Sequence, residues 1–136
     1  MGEKRYWAIR TDKDNKSLLL DELRAGRLRQ GWGYNPSQDL KLIQKEIDLG
    51  GKWWERITEE QKEALPHIRM LSAANDSVKK GDWVLVPNLP EYGSFFVAEI
   101  VGDYYFSLLE LAEDIHNVGG RDYGHVLPVR LITEQG

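Results

Sequence analysis

The residues best suited to bind a flat ligand surround a short glycine-rich loop. Trp32 stands between Gly31 and Gly33. Flanking glycines allow a backbone to approach a ligand closely, and an exposed indole stacks on flat partners. Short polar side chains can also hydrogen-bond the edge of an unpaired base. The candidate contacts near the loop are the aromatic Tyr34 and the polar Gln30, Asn35 and Asp39. The segment therefore predicts a site that stacks a ring and reads its edge.

Further aromatic and basic residues extend this candidate site. Trp7 lies in the first predicted strand, and Trp53 and Trp54 follow a Gly-Gly break. Neighbouring residues of an extended segment point to opposite sides, so at most one of Trp53 and Trp54 should enter the core. Arginine side chains hold phosphates. The candidates for phosphate contacts are Arg10, Arg24, Arg27 and Arg29. The alternative is that the tryptophans are ordinary core anchors and the charges a solvated surface.

Catalytic motifs are missing from the sequence. It has no glycine-rich phosphate loop, no nucleophile elbow, no His-Glu-x-x-His and no cysteine. Asp82 and Glu99 lie on neighbouring predicted strands, as nuclease carboxylates do, but the lysine such nucleases carry two residues after the glutamate is Val101 here. No two histidines have the spacing of a local metal site, and His125 is expected to be a hydrogen-bonded structural residue. We therefore expect a non-catalytic protein without cofactor or metal.

Length and composition narrow the class of protein further. The chain has 136 residues, 41% of them hydrophobic, which fits one domain with a real core. Its formal net charge of -4 excludes a strongly basic nucleic-acid binder. Residues 1–35 nevertheless carry eight Lys and Arg against five acids, which allows a local basic face. The lack of cysteine, of a secretory signal and of a membrane span predicts a cytoplasmic protein with no membrane partner.

The first half of the chain reads as one strand followed by helices. A strand is predicted over residues 6–11 and a helix over residues 17–25, ended by Gly26. Residues 31–36 cannot continue a helix because they hold two glycines and a proline. Ser37 or Asp39 caps a second helix up to Gly50, and Thr58-x-x-Gln61 is a capping box for a short third one. Residues 67–74 could form another short helix.

The second half reads as short strands. They are predicted over residues 82–87, 94–101 and 123–132, with another beginning at residue 104, while residues 108–117 fit a helix better. Alternation sends Trp83, Leu85 and Pro87 to one face of their strand, and we expect Trp83 to be a core residue. Pro128 requires an edge or a bulge. One early strand and a late meander predict a single α+β domain with a small bent sheet or partly closed barrel.

Five segments of the chain resemble the PUA-like superfamily, most closely its EVE-like and YTH-like modified-base readers, including N-terminal domains of modification-dependent restriction enzymes. The segments are Tyr6-Trp7-Ala8-Ile9-Arg10, Leu28-Arg29-Gln30-Gly31-Trp32-Gly33, Lys80-Gly81-Asp82-Trp83-Val84-Leu85-Val86-Pro87, Phe96-Val97-Ala98-Glu99-Ile100-Val101-Gly102 and Gly124-His125-Val126-Leu127-Pro128-Val129. The resemblance implies a bent barrel with flanking helices and an aromatic base pocket. The matching pocket positions are Trp32 and Trp7, with Trp53 or Trp54 as a further candidate. The net charge of this chain is acidic, whereas many such nucleic-acid readers are basic.

The resemblance and the aromatic residues together predict a binding module for one flipped nucleobase. A modified base in DNA is the first expectation and a modified RNA base the second. The rival hypothesis is an interaction module that uses exposed aromatic residues as hot spots for a protein or peptide. The resemblance also suggests that the domain is part of a longer chain with a nuclease or motor domain. We expect Trp32 to face the ligand.

Overall fold

The computed structural model describes residues 5–10, 16–70, 78–89, 92–108 and 123–135. They form an α+β fold whose strands build one mixed sheet. The strands are β1 (Tyr6–Ala8), β2 (Arg27–Gln30), β3 (Trp83–Pro87), β4 (Phe95–Ile100), β5 (Tyr105–Phe106) and β6 (His125–Gln135). The α-helices are α1 (Lys16–Arg24), α2 (Leu40–Leu49) and α3 (Glu59–Ala64), and 3-10 helices span Pro36–Gln38, Trp53–Glu55 and Leu65–Met70. The predicted α+β class is confirmed.

The sheet has the order β1-β3-β4-β6-β2, with β5 also paired to β6. β1 runs parallel to β3, and the other pairs are antiparallel. The long strand β6 changes partners along its length. Up to Pro128 it pairs with β2, and from Val129 onward it pairs with β4. Pro128 therefore stands where the ladder changes, a place that tolerates its missing N–H.

The core lies between one face of the sheet and the helices. Alternate residues of β3 and β4 are fully buried, and α1 and α2 add apolar side chains from their inner faces. The buried residues include Leu23, Leu28, Leu40, Ile43, Val84, Val86, Phe96, Ala98 and Ile100. The alternation predicted for both strands is thus present, because a strand with one face on a core buries every second side chain.

Trp83 is not a core residue, which corrects the expectation from the sequence. Its neighbours Val84 and Val86 face the core, so Trp83 and Leu85 lie on the opposite face of β3. There the Trp83 ring packs edge-to-face on Tyr6, which is largely exposed. Alternation separates the two faces of a strand, but it does not say which face the helices cover.

Helix boundaries follow the predicted caps closely. The Thr58 and Gln61 side chains form the predicted capping box of α3, and the Asp39 side chain caps α2. Helix α1 begins at Lys16, one residue before the predicted Ser17 cap. Strand β2 was not predicted, since two arginines and a glutamine between glycines indicate a loop rather than a strand. The short helix predicted over residues 67–74 is present up to Met70 as part of a 3-10 helix, and its remainder lies outside the described residues, as do residues 109–117 of the helix predicted over residues 108–117.

Candidate functional site

A cavity of about 290 Å³ opens between the end of β1, the end of β2 and the 3-10 helix Leu65–Met70. One part of its wall is apolar and the rest is polar. The apolar lining includes Trp7, Ile9, Pro66, Met70 and Val78. The polar lining consists of Arg10, Gln30 and His67. We call this space the base-sized cavity.

Gln30 lines the base-sized cavity with an amide that two backbone carbonyls hold in place. Its side-chain Nε2 donates to the backbone oxygen atoms of Arg10, at 2.9 Å, and Arg29, at 3.1 Å. Both partners are acceptors, so the amide nitrogen must be the atom that faces them. Within the described chain no donor reaches the Oε1 atom, and no buried side-chain polar atom there lacks a partner. The Oε1 atom is therefore free to accept a hydrogen bond as far as the described residues are concerned, although only 7% of Gln30 is exposed.

Trp7 forms an aromatic wall that its surroundings hold in one orientation. The indole Nε1–H donates to Oδ2 of Asp82 at 2.9 Å, and the Arg5 guanidinium lies 5.5 Å from the ring centre. The Asp82 carboxylate is buried and also accepts from the backbone N–H groups of Arg5 and Lys79. Although burial opposes ionisation, these donors hold the pKa of Asp82 below its usual range. A fixed carboxylate thus orients the indole.

Two histidine rings connect this cavity to the core. His67 lines the cavity, and its ring centre lies 5.5 Å from that of the fully buried His125. His125 Nε2 lies 3.0 Å from the Trp32 backbone oxygen, so it carries the proton and donates. Nδ1 must then accept from the Tyr104 hydroxyl, 2.8 Å away. The expectation of a hydrogen-bonded structural His125 is confirmed.

Burial decides the charge of both histidines. Desolvation lowers the pKa of His125 to about 4, despite its hydrogen bond to Trp32, and the neighbouring His67 adds to the shift. Desolvation also lowers the pKa of His67. Both rings are therefore neutral at pH 7. A neutral imidazole can donate from one nitrogen and accept at the other, so His67 adds a third polar group, beside Arg10 and Gln30, to the cavity wall.

Trp32 lies on the predicted loop but outside the lining of the base-sized cavity. It is 38% exposed and has a φ of 58°. A left-handed backbone costs a residue other than glycine about 1–3 kcal/mol and persists only where the surroundings enforce it. Here His125 binds the Trp32 carbonyl, and Gly33 packs on Gly124 so closely that a Cβ on Gly33 would lie 2.9 Å from the Gly124 nitrogen. The ligand role of Trp32 stays a prediction.

Three other predicted contacts of the loop have structural partners. The Tyr34 hydroxyl donates to Glu63 at 2.9 Å, and burial together with this carboxylate raises the pKa of Tyr34 to about 12. The Asn35 side chain accepts from the Ser37 N–H and caps the 3-10 helix that follows. Asp39 caps α2. None of the three lines the base-sized cavity.

Trp53 and Trp54 lie in a 3-10 helix after α2, away from the cavity lining. Their rings form an edge-to-face pair with centres 5.9 Å apart. Trp53 is half-buried, and Trp54 is 51% exposed. Neither belongs to the buried core, as expected, but the segment is a 3-10 helix and not the extended segment on which that expectation rested.

The four candidate phosphate ligands differ in their surroundings. Arg27 binds both oxygen atoms of Glu22, while the buried Arg29 binds Glu22 and two backbone carbonyls. These hydrogen bonds lower the pKa of Glu22 to about 2, against the opposing effect of burial. Arg24 lies over the Phe96 ring. Arg10 is exposed at the cavity and is the candidate best placed to meet a phosphate there.

Among the described residues, the carboxylates of a possible nuclease pair have other partners, and no side-chain cluster suited to a metal is present. Asp82 is engaged by Trp7, and Glu99 pairs with Arg130 on the outer face of the sheet. Across the described ranges no three His, Cys, Asp or Glu side chains gather as a metal site. No described helix has both the length and the apolar character needed to cross a membrane.

His67, Met70 and Pro66 line the cavity but were not singled out as ligand contacts from the sequence. They lie some sixty residues after Trp7, and no local spacing connects the two segments. Comparisons with protein-family models, curated proteins and solved structures find no match to this chain. The functional argument therefore rests on the cavity itself.

Proposed function

We propose that the protein is a non-catalytic nucleic-acid-binding module that takes one flipped base, most readily a modified base in DNA, into the base-sized cavity. The observation that carries the proposal is the combination of Trp7, the Gln30 acceptor that no described donor reaches and the exposed Arg10 around one cavity. An aromatic wall, an edge-reading group and a cation are the three elements needed to hold a nucleotide.

The size of the cavity supports a small flat ligand. Its volume of about 290 Å³ lies at the lower limit of small-molecule pockets, which begin near about 300 Å³. A volume of this size suits a single base better than a peptide. The apolar side of the wall, which includes Met70 and Val78, could accept a methyl group. Burying one methyl contributes about 1 kcal/mol, so methylation alone would improve affinity about fivefold.

The polar side of the wall supports recognition of an edge. The Gln30 amide is held by two backbone carbonyls, so its Oε1 atom accepts without first losing side-chain freedom. It would accept from an amino or imino N–H of the base. Stacking on aromatic residues contributes about 1–3 kcal/mol per base, which offsets part of the cost of unpairing. Affinity therefore does not require a strongly basic surface.

We also propose that the sheet is the bent barrel of the PUA-like superfamily. The change of partner along β6, which joins β4 to β2, supports this assignment, because a single strand then serves both halves of a curved sheet. The parallel pair of β1 and β3 carries Trp7 to the rim of that sheet. The five sequence segments that resemble this superfamily imply the same fold.

Fluorescence anisotropy with labelled oligonucleotides tests the proposal. The ligands are single-stranded and duplex DNA and RNA of one sequence, each with a methylated or an unmodified central base. We expect the methylated DNA to bind most tightly and its affinity to fall about three- to fourfold between about 50 and 200 mM salt, the change that one phosphate contact at Arg10 produces. Failure of every oligonucleotide to bind at low salt would contradict the proposal.

Substitution of Gln30 locates the contact. Gln30→Met keeps the length of the side chain and removes the acceptor, so affinity should fall about tenfold, the value of one hydrogen bond of about 1.4 kcal/mol. Gln61→Met is the matched control, because the Gln61 amide also binds backbone groups but lies outside the cavity lining. Equal affinities for wild type and Gln30→Met would refute the assigned site.

A protein- or peptide-binding function is the second candidate. The observation that favours it is an exposed apolar patch at the end of α2, where Leu49 is 74% and Trp54 51% exposed. Exposed tryptophans are frequent hot spots of protein interfaces. Salt separates the candidates, because nucleic-acid affinity falls as the salt concentration rises, whereas an aromatic protein interface responds only weakly. A partner whose binding Trp54→Ala abolishes and Gln30→Met leaves intact would favour this second function.

A further inference from the structure

Three properties of Trp32 suggest a role that is separate from the base-sized cavity. Trp32 is exposed, it lies outside the cavity lining, and its backbone has a φ of 58°. Trp32 and Asn88 are the two residues other than glycine with positive φ in the described chain. A strained backbone that presents an apolar ring to solvent is a feature that often serves function.

The surrounding contacts hold this loop in one conformation. The buried His125 donates from Nε2 to the Trp32 carbonyl, and the Gly124 N–H donates to the Gly33 carbonyl at 3.0 Å. Gly33 has no room for a side chain against Gly124. The indole is therefore presented by a braced loop rather than by a loose one, which lowers the entropy lost when it contacts a partner.

The loop is also close to the cavity. The His125 ring that binds the Trp32 carbonyl lies 5.5 Å from the ring of His67 in the cavity wall. Two adjacent rings thus separate the backbone of Trp32 from the place where we propose a base is held. Trp54 has a similarly exposed indole, but it lies on the 3-10 helix after α2, where its described ring contact is with Trp53.

Extruding a base from a duplex leaves a gap between its former neighbours. Proteins that distort duplexes often insert an apolar side chain between base steps. In the gap left by an extruded base, an aromatic ring can stack on the neighbouring bases. A single strand has no such gap, because its bases are not held in a continuous stack with a partner strand. A side chain that fills the gap therefore improves affinity for a duplex and leaves that for a single strand nearly unchanged.

We propose that Trp32 is the wedge that occupies the stack position vacated when a duplex delivers its base to the cavity. This inference rests on the proposed function, and it adds that the natural ligand is a duplex. Trp32 then contacts the neighbours of the extruded base and the opposite strand. The cavity residues Trp7 and Gln30 hold the base itself.

The test uses Trp32→Gly, because glycine suits the positive φ and should preserve the fold. A thermal melt checks that it does. Wild type and variant are titrated with the modified single strand, with the modified duplex, and with the same duplex carrying an abasic site at that position. We expect the variant to bind both duplexes about tenfold more weakly and the single strand within twofold of wild type. Trp32→Phe should restore most of the duplex affinity. Trp54→Ala, the matched control, should change none of the three affinities.

The abasic duplex separates failure of this inference from failure of the proposed function. It has a gap but no base for the cavity, so Gln30→Met should leave its binding unchanged while Trp32→Gly weakens it. An equal loss on single strand and duplex would overturn the wedge and make Trp32 a direct base contact. No loss on either duplex would also overturn it. If wild type binds neither the modified strand nor the modified duplex, both proposals are wrong.

Discussion

His125 should dominate the acid sensitivity of the fold. Its Nε2–H binds the Trp32 carbonyl, and its Nδ1 accepts from Tyr104, whose hydroxyl in turn accepts from the Leu40 N–H at 3.0 Å. This chain of hydrogen bonds connects the loop, β6, the segment before β5 and the start of α2. Protonating Nδ1 would remove the acceptor that Tyr104 needs and would place a charge in a fully buried position.

The magnitude follows from the two pKa values of His125. Its ordinary value is 6.5, and burial lowers the pKa to about 4 in the folded protein. At 1.36 kcal/mol per pH unit this difference corresponds to about 3 kcal/mol of stability. Because the folded pKa is the lower one, the stability is present above pH 6.5 and is lost as the pH falls to about 4. His67 adds a loss of the same sign, since burial lowers its pKa too.

Urea denaturation at several pH values between 7 and 4 measures this loss. The perturbation is His125→Gln, because a glutamine amide can still donate and accept but does not titrate. We expect the free energy of unfolding of wild type to fall about 3 kcal/mol more than that of His125→Gln over this range. Tyr104→Phe is the control, because it removes one hydrogen bond but keeps the titrating ring and hence the loss in acid. Equal losses for wild type and His125→Gln would refute the assignment of a buried neutral imidazole.

Three further predictions concern packing and buried charge. Phe96→Ala should cost about 3–5 kcal/mol of stability in urea denaturation because Phe96 is fully buried, while Trp83→Ala on the outer face should cost less than half as much; the reverse order would contradict the assigned faces. Glu22→Gln should cost about 3 kcal/mol of stability at pH 7, because it leaves the buried guanidinium of Arg29 without its carboxylate. The pKa of Glu22 is about 2 against an ordinary 4.5, so the stability difference from wild type should shrink as the pH falls from 4.5 towards 2. A difference that stays constant would count against the ion pair. Asp82→Asn should cost about 2 kcal/mol and shift the indole N–H resonance of Trp7, and an unmoved resonance would disprove their hydrogen bond.

The sequence predicts those helix ends and strands that depend on residues close together in the chain. The capping box at Thr58 and Gln61 and the cap at Asp39 were predicted because each depends on residues within one turn. The alternation in β4 was predicted for the same reason. Strand β2 was missed, since it is held by pairing with residues of β6 about one hundred positions away.

The candidate site was predicted only in part for the same physical reason. Trp7, Arg10 and Gln30 were singled out for their chemistry, and they line one cavity. His67 completes it from a distant segment that no spacing connects to them. Asn35 and Asp39 have the residue types of base readers, but their positions at helix starts make them caps. Residue type alone does not separate these two roles.

The most direct test of the central claim is an NMR titration of the protein with the tightest-binding modified oligonucleotide. The side-chain amide of Gln30 and the indole N–H of Trp7, assigned with Gln30→Met and Trp7→Phe, report on the base-sized cavity. The indole N–H of Trp54 reports on the patch at the end of α2. If the cavity holds the base, the Gln30 and Trp7 signals shift on binding while that of Trp54 stays in place. Shifts of Trp54 with unchanged Gln30 and Trp7 signals would contradict the account.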